Sequence, residues 1–273
     1  MKSRLAVAQM TSGSDKNENL EQMASLIRKA RDAGVDMLCF PENFVFFGES
    51  SKDSLAIAEP LTGPTIKLIS RWARENGIWL SLGGFQERIE GEDQIYNSHL
   101  IIDDAGEIAA TYRKIHLFSA QLPDGSSYGE DVAVRPGKRI AVCDSPFGKL
   151  GLTICYDLRF FALFSELREL GAQIILVPAA FTTITGAAHW KVLLRARAIE
   201  TQCYVVAAAQ VGIHNRVRST YGHGMIIDPW GLVLARCDKK DDVVFADIDL
   251  SSLKRIREQM PVWQHRRLIV SNE

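Results

Sequence analysis

No stretch of this chain is apolar for long enough to cross a bilayer. The apolar run near its start, within MKSRLAVAQMTSGSDKN, is too short for the core of a secretory signal. Neither sign of charge dominates: 32 Lys and Arg stand against 33 Asp and Glu, a formal net charge of −1. That balance gives no reason to expect a nucleic acid or an anionic membrane as partner. Cysteine is sparse and unpaired. The five stand at positions 39, 143, 155, 203 and 237, an odd number with no CxxC spacing. A disulfide framework and a cysteine zinc site are thereby disfavoured, and free thiols in a reducing, cytoplasmic compartment are expected. No low-complexity linker interrupts the chain, so residues 1–273 read as a single domain.

What is present is a regular alternation of short apolar runs with helical patterns. RLAVAQM (4–10), DMLCFPE (36–42) and IWLSLGGF (78–85) read as strands. Asn17 to Gly34 carries Leu20, Met23, Ala24, Ile27 and Ala30 on one helical face, with Gly34 as its stop. Pro64 opens a second helix that Gly77 closes. The segments 100–113 and 225–237 each hold two apolar runs around an Asp-x-x-Gly turn and predict hairpins. Strands are expected at 150–155, 173–181 and 203–210, with helices at 160–171 and 189–202 between them. The pattern predicts an α/β fold with a mixed sheet. Periodicity does not separate a doubly wound sheet, a barrel and a two-sheet sandwich.

Reactive groups in such folds gather where strands end. Three polar residues sit there: Glu42 after MLCFP, Lys114 after ATYR and Cys155 after LGLTI. Singly, each is ordinary: a solvated acid, a surface lysine, a core thiol. Together they form a chemical set. A thiol attacks as thiolate, and a cation such as Lys114 or the helix near residue 160 favours that form. A carboxylate such as Glu42 can take the thiol proton and hand it to a leaving amine. None of His99, His116, His189, His214, His223 and His265 has a protease-type local context.

These residues carry a resemblance. Pro41-Glu42, Tyr112-Arg113-Lys114-Ile115-His116-Leu117 and Cys155-Tyr156-Asp157-Leu158-Arg159-Phe160 match, in order, the three motifs of the nitrilase superfamily of carbon–nitrogen hydrolases. The likeness runs from AVAQM (6–10) to MPVWQHRR (260–267). Stretches 184–212 and 221–231 look most like the Nit branch and its deaminated-glutathione amidases. The resemblance implies an α-β-β-α sandwich and a homodimer or higher homo-oligomer. It implies thioester chemistry with no metal or organic cofactor, on a small carboxylate-bearing amide. Deaminated glutathione is the expected substrate. α-Ketoglutaramate or α-ketosuccinamate, as in ω-amidases, is the alternative, and a non-catalytic scaffold on the same fold is the alternative of another class.

Residue by residue, it gives Glu42, Lys114 and Cys155 the catalytic roles and the Tyr156 N–H a share of the oxyanion. Glu130, before Pro136-Gly137, matches a second acid that orients Lys114 or the substrate. Arg159 is expected to meet a substrate carboxylate, with Phe181 and Thr182 lining the pocket. Arg195 and Arg197 fall on a helix that the family places near the dimer interface. The chain departs from the family pattern at Phe161-Ala162, where Pro-Glu is usual, at Lys191 for an acid and at Ser119 for Asp.

Overall fold

The computed structural model describes residues 2–238, 240 and 242–267. The first half of the chain runs β1 (Lys2–Met10), α1 (Lys16–Asp32), β2 (Met37–Phe40), α2 (Ser51–Ile57), α3 (Pro64–Asn76), β3 (Trp79–Arg88), β4 (Ile95–Ile102) and β5 (Ile108–Arg113). Short strands follow: β6 (Ser119–Gln121), β7 (Ser127–Gly129), β8 (Val142–Cys143) and β9 (Leu150–Leu152). Then come α4 (Phe161–Glu169), β10 (Ile174–Leu176), α5 (Thr183–Thr185), α6 (Lys191–Thr201), β11 (Tyr204–Ala207) and β12 (Ala209–Ile213). The last elements are β13 (Ser219–Tyr221), β14 (Met225–Ile227), β15 (Val233–Arg236), β16 (Asp242–Asp249) and α7 (Leu250–Gln259).

Local chemistry sets these boundaries. Asp15 caps α1 by accepting from the N–H groups of Asn17 and Glu18. Pro64 begins α3, and Gly77 ends it at φ 59°, a left-handed conformation that costs glycine little.

Two sheets stack. One has the order β13-β12-β1-β2-β3-β4-β5, with β16 antiparallel to β1; the other has the order β15-β14-β11-β10-β9-β8. Alternation along each strand assigns the layers. Leu5 and Val7 of β1 pack between the sheets with Leu152, Ile174 and Val205. Ala6 and Ala8 face the other way, into a layer shared with Leu20, Met23 and Ile27 of α1 and Ile66 and Ile69 of α3. Phe164 of α4 and Leu194 of α6 belong to the cluster that holds the second sheet. The result is the expected α-β-β-α sandwich.

Three details differ from the sequence reading. The run 203–210 is two strands, because the chain passes from one sheet to the other at Ala208. Both halves are buried on both faces, so no polar residue marks the break. The hairpin β6–β7 and the terminal pair β16 and α7 escape the sequence reading altogether. Cys155 does not end a strand: β9 stops at Leu152, and Cys155 opens a 3₁₀ turn that runs to Arg159.

His99 of β4 ties the sheets together. Its Nδ1–H donates to the carbonyl of Thr153 at 2.9 Å, and its Nε2 accepts from the Ser81 hydroxyl at 2.7 Å. Complete burial pushes its pKa down to about 4, from an ordinary 6.5. The unfolded chain therefore binds a proton below pH 6.5 that the folded chain refuses until about pH 4. This contribution to stability is full above pH 6.5 and is lost as pH falls towards 4. The loss should reach about 2 kcal/mol by pH 5. Urea midpoints at pH 7 and pH 5 check this: His99→Gln should fall less between them than the parent chain, and parallel losses would refute the assignment.

Candidate active site

Glu42 lies just past β2, where Asn43 takes a left-handed φ of 61°. The turn presses on Gly84 of β3, which has φ 73°. A Cβ there would lie 2.6 Å from Glu42 Cγ and 2.7 Å from the Asn43 nitrogen, so only glycine lets the carboxylate take this place. Lys114 follows β5. Its N–H donates to the Asn97 carbonyl at 2.9 Å, and its carbonyl accepts from Gly137 N–H at 2.8 Å. Cys155 has a left-handed φ of 48°, rare for a residue with a side chain and a common mark of a reactive turn. Its N–H donates to the Pro178 carbonyl at 2.8 Å.

The side chains of these separate turns meet. Lys114 Nζ lies 2.8 Å from Glu42 Oε1 and 2.7 and 3.0 Å from the two oxygens of Glu130. Asn97 Nδ2 donates to Glu42 Oε1 at 2.9 Å and to Glu130 Oε1 at 2.8 Å, bridging the two acids. Glu42 Oε2 accepts from Ala180 N–H at 3.1 Å, and Glu130 Oε2 from Phe118 N–H at 2.7 Å. The thiol of Cys155 lies close enough to feel the charges of both Glu42 and Lys114. Glu42, Glu130, Lys114 and Cys155 all line one cavity of about 200 Å³.

Burial is the largest influence on Lys114 and works against its charge. The carboxylates of Glu130 and Glu42 outweigh it, and the ammonium is held well above the usual lysine range. Cys155 goes the other way from the sequence expectation. Burial and then the Glu42 charge push its thiol well above the ordinary range, and the opposing pull of Lys114 is smaller. The resting nucleophile is therefore a neutral thiol. Its proton must leave as attack proceeds, and Glu42 is the carboxylate whose charge acts on it most strongly.

Asp157 fastens the nucleophile turn to the lysine turn. Fully buried, it accepts from the Tyr112 hydroxyl at 2.8 Å, the Ile154 N–H at 2.9 Å and the His116 N–H at 3.1 Å, and His116 Nδ1 lies 2.7 Å away. The sequence reading held Asp157 only as a motif letter. Asn97 carried no local signal at all.

The remaining expected site residues divide. Tyr156 N–H falls in the first turn of the 3₁₀ helix, where such groups lack an intrahelical acceptor. Thr182 lines the cavity; Arg159 and Phe181 do not. The Arg159 guanidinium sits over the rings of Phe181, 5.2 Å away, and Tyr156, 5.6 Å away, and its Nη1 is 3.2 Å from His189 Nδ1. It stands outside the set of residues that line the cavity of Cys155. The arginine that does line the cavity is Arg218. Arg195 donates to the Gly231 carbonyl at 2.8 Å, and Arg197 pairs with Glu200 at 2.8 Å. Ser119, at one of the departures from the family pattern, donates to Asp131. All five cysteines are free and buried.

Residues 4–258 match the carbon–nitrogen hydrolase family. The chain is similar to a deaminated glutathione amidase of Dictyostelium discoideum, at 49% identity over 97% of this chain and 94% of that one. It is similar to the Homo sapiens protein of the same name at 46% identity, over 96% of this chain and 82% of that one. Among solved structures, that of the Caenorhabditis elegans NitFhit protein superposes with a TM-score of 0.93 at 42% identity. The match covers 97% of this chain and 65% of that one.

Proposed function

The chain belongs to the carbon–nitrogen hydrolase family, and from that premise we propose that its cavity hydrolyses deaminated glutathione, a carboxylate-bearing amide, through a thioester on Cys155. The observation that carries this reading is the convergence of Cys155, Glu42 and Lys114 on one cavity, with Glu42 ion-paired to Lys114. As Sγ attacks the amide carbonyl, Glu42 accepts the thiol proton. Lys114 and the Tyr156 N–H stabilise the oxyanion, a contribution of about 3 kcal/mol per donor in comparable sites. Glu42 then protonates the departing amine, and the C–N bond breaks. Water attacks the thioester with Glu42 again as base, the acid leaves, and the thiol regains its proton. Glu130 and Asn97 hold Lys114 and Glu42 in register.

The test offers the protein deaminated glutathione and α-ketoglutaramate and follows α-ketoglutarate from each. Faster release from deaminated glutathione is expected. Preference for α-ketoglutaramate would make the protein an ω-amidase. A folded protein that turned over neither would end the substrate assignment.

We also propose a homodimer built on the outer face of α4 and α6. Phe161, Val192, Ile199, Trp230 and Leu232 are exposed large apolar residues. They adjoin: Arg197 lies over the Phe161 ring, and Ile199 packs at Gly231, between Trp230 and Leu232. Burying such a patch supports association. Ile199→Glu should convert a dimer to protomer mass in light scattering, and a parent chain already at protomer mass would refute the proposal. A cytoplasmic location accompanies this reading, supported by the five free thiols. Fractionation of cells carrying the tagged protein tests it. Among the described residues, no helix is long and apolar enough to cross a membrane.

A further inference from the structure

The cavity wall carries four formally charged side chains: Glu42, Glu130, Lys114 and Arg218. Three are committed to one another, since Lys114 bonds both carboxylates. Arg218 is different. Among the described residues, no carboxylate pairs with it and none of its nitrogens donates a hydrogen bond. Its Nε is a buried donor with no partner. Two other cavity-lining residues carry buried polar atoms in the same condition, Gln86 Oε1 and Asn97 Oδ1, and both are acceptors. An unsatisfied buried donor on a cation calls for an anion, because leaving it unpaired is costly.

Arg218 is also held in place without being used. It ends the turn between β12 and β13, where its carbonyl accepts from the His214 N–H at 3.0 Å. That turn is pinned to the rest of the fold. His214 Nδ1 meets the Ser12 carbonyl at 2.8 Å, its ring packs 4.4 Å from Phe47, and Asn215 Nδ2 donates to the Phe47 carbonyl at 3.2 Å. The Arg218 guanidinium lies 5.0 Å from the centre of the Tyr128 ring, on the β6–β7 hairpin. Stacking of this kind fixes the plane of the fork and leaves its N–H edges free to grip a carboxylate.

We propose that Arg218, steadied by Tyr128, binds a carboxylate of the amide substrate and makes the cavity select anionic over neutral amides. This rests on the reading of the cavity as an amidase site. It gives the unpaired cation of the wall a partner. A bidentate grip also fixes the distance from carboxylate to scissile amide, and so which amides reach Cys155.

The test uses two chain-matched amides, glutaramate, which ends in a carboxylate, and pentanamide, which does not. The readout is the ratio of their kcat/KM values in the parent chain, Arg218→Ala and Arg218→Lys. The parent should prefer glutaramate. Arg218→Ala should lower the ratio about 10- to 100-fold, mainly through the KM for glutaramate. Arg218→Lys should fall between, since it keeps the charge and loses the planar fork. An unchanged ratio in Arg218→Ala overturns the proposal. If the parent chain shows no preference for glutaramate, the substrate class proposed above fails by itself. Inhibition of pentanamide hydrolysis by glutarate then decides Arg218: a Ki raised tenfold or more in Arg218→Ala upholds it, and an unchanged Ki overturns it.

Discussion

Glu42→Gln is expected to stay folded and to lose turnover by about 10²- to 10⁴-fold, the span that a general base contributes. The result would separate two jobs that a carboxylate beside a thiol can do. The Glu42 charge raises the Cys155 thiol, second only to burial. Removing that charge should therefore make the thiol easier to ionise. An enzyme limited only by thiolate supply would speed up. An enzyme that needs a base to take the proton, carry it to the leaving amine and later activate water should nearly stop. Folding should survive, because Lys114 keeps both oxygens of Glu130. Steady-state kinetics gives the first quantity. The ultraviolet thiolate signal of Glu42→Gln minus that of Glu42→Gln with Cys155→Ala gives the second. Turnover within tenfold of the parent chain would remove Glu42 from the proton path.

What could be read from sequence follows a physical line. Glu42, Lys114 and Cys155 were legible because each stands at the end of an apolar run, inside a short motif that travels with it. The helix limits at Asp15, Pro64 and Gly77 were legible because capping is local. Arg218 was not, since its use depends on a cavity wall shared with Tyr128, far away in sequence. Asp157 stood in plain view, yet its three donors come from Tyr112, Ile154 and His116, two of them on another strand and loop. The acidity of Cys155 was misjudged for a related reason. Proximity to a lysine can be guessed from motifs, whereas burial is a property of the packed sandwich, and here burial dominates. For Arg159 the sequence offered an offset alone, and an offset says nothing about the rings a guanidinium will lie on.

Lys114→Met should lose turnover as completely as Glu42→Gln and, unlike it, should also lose stability, by about 3–5 kcal/mol, the usual consequence of removing one partner from a buried ion pair. The asymmetry lies in the charges. The site holds two carboxylates and one ammonium, with Lys114 2% and Glu42 4% exposed. Deleting an acid leaves a matched pair. Deleting the ammonium leaves two acids that share the Asn97 Nδ2 donor and repel each other. Adding Glu130→Gln to Lys114→Met removes that repulsion and should restore part of the stability with none of the activity. Urea midpoints of the three chains measure the loss and its partial recovery. Equal midpoints for Lys114→Met and the parent chain would mean that the lysine serves chemistry alone.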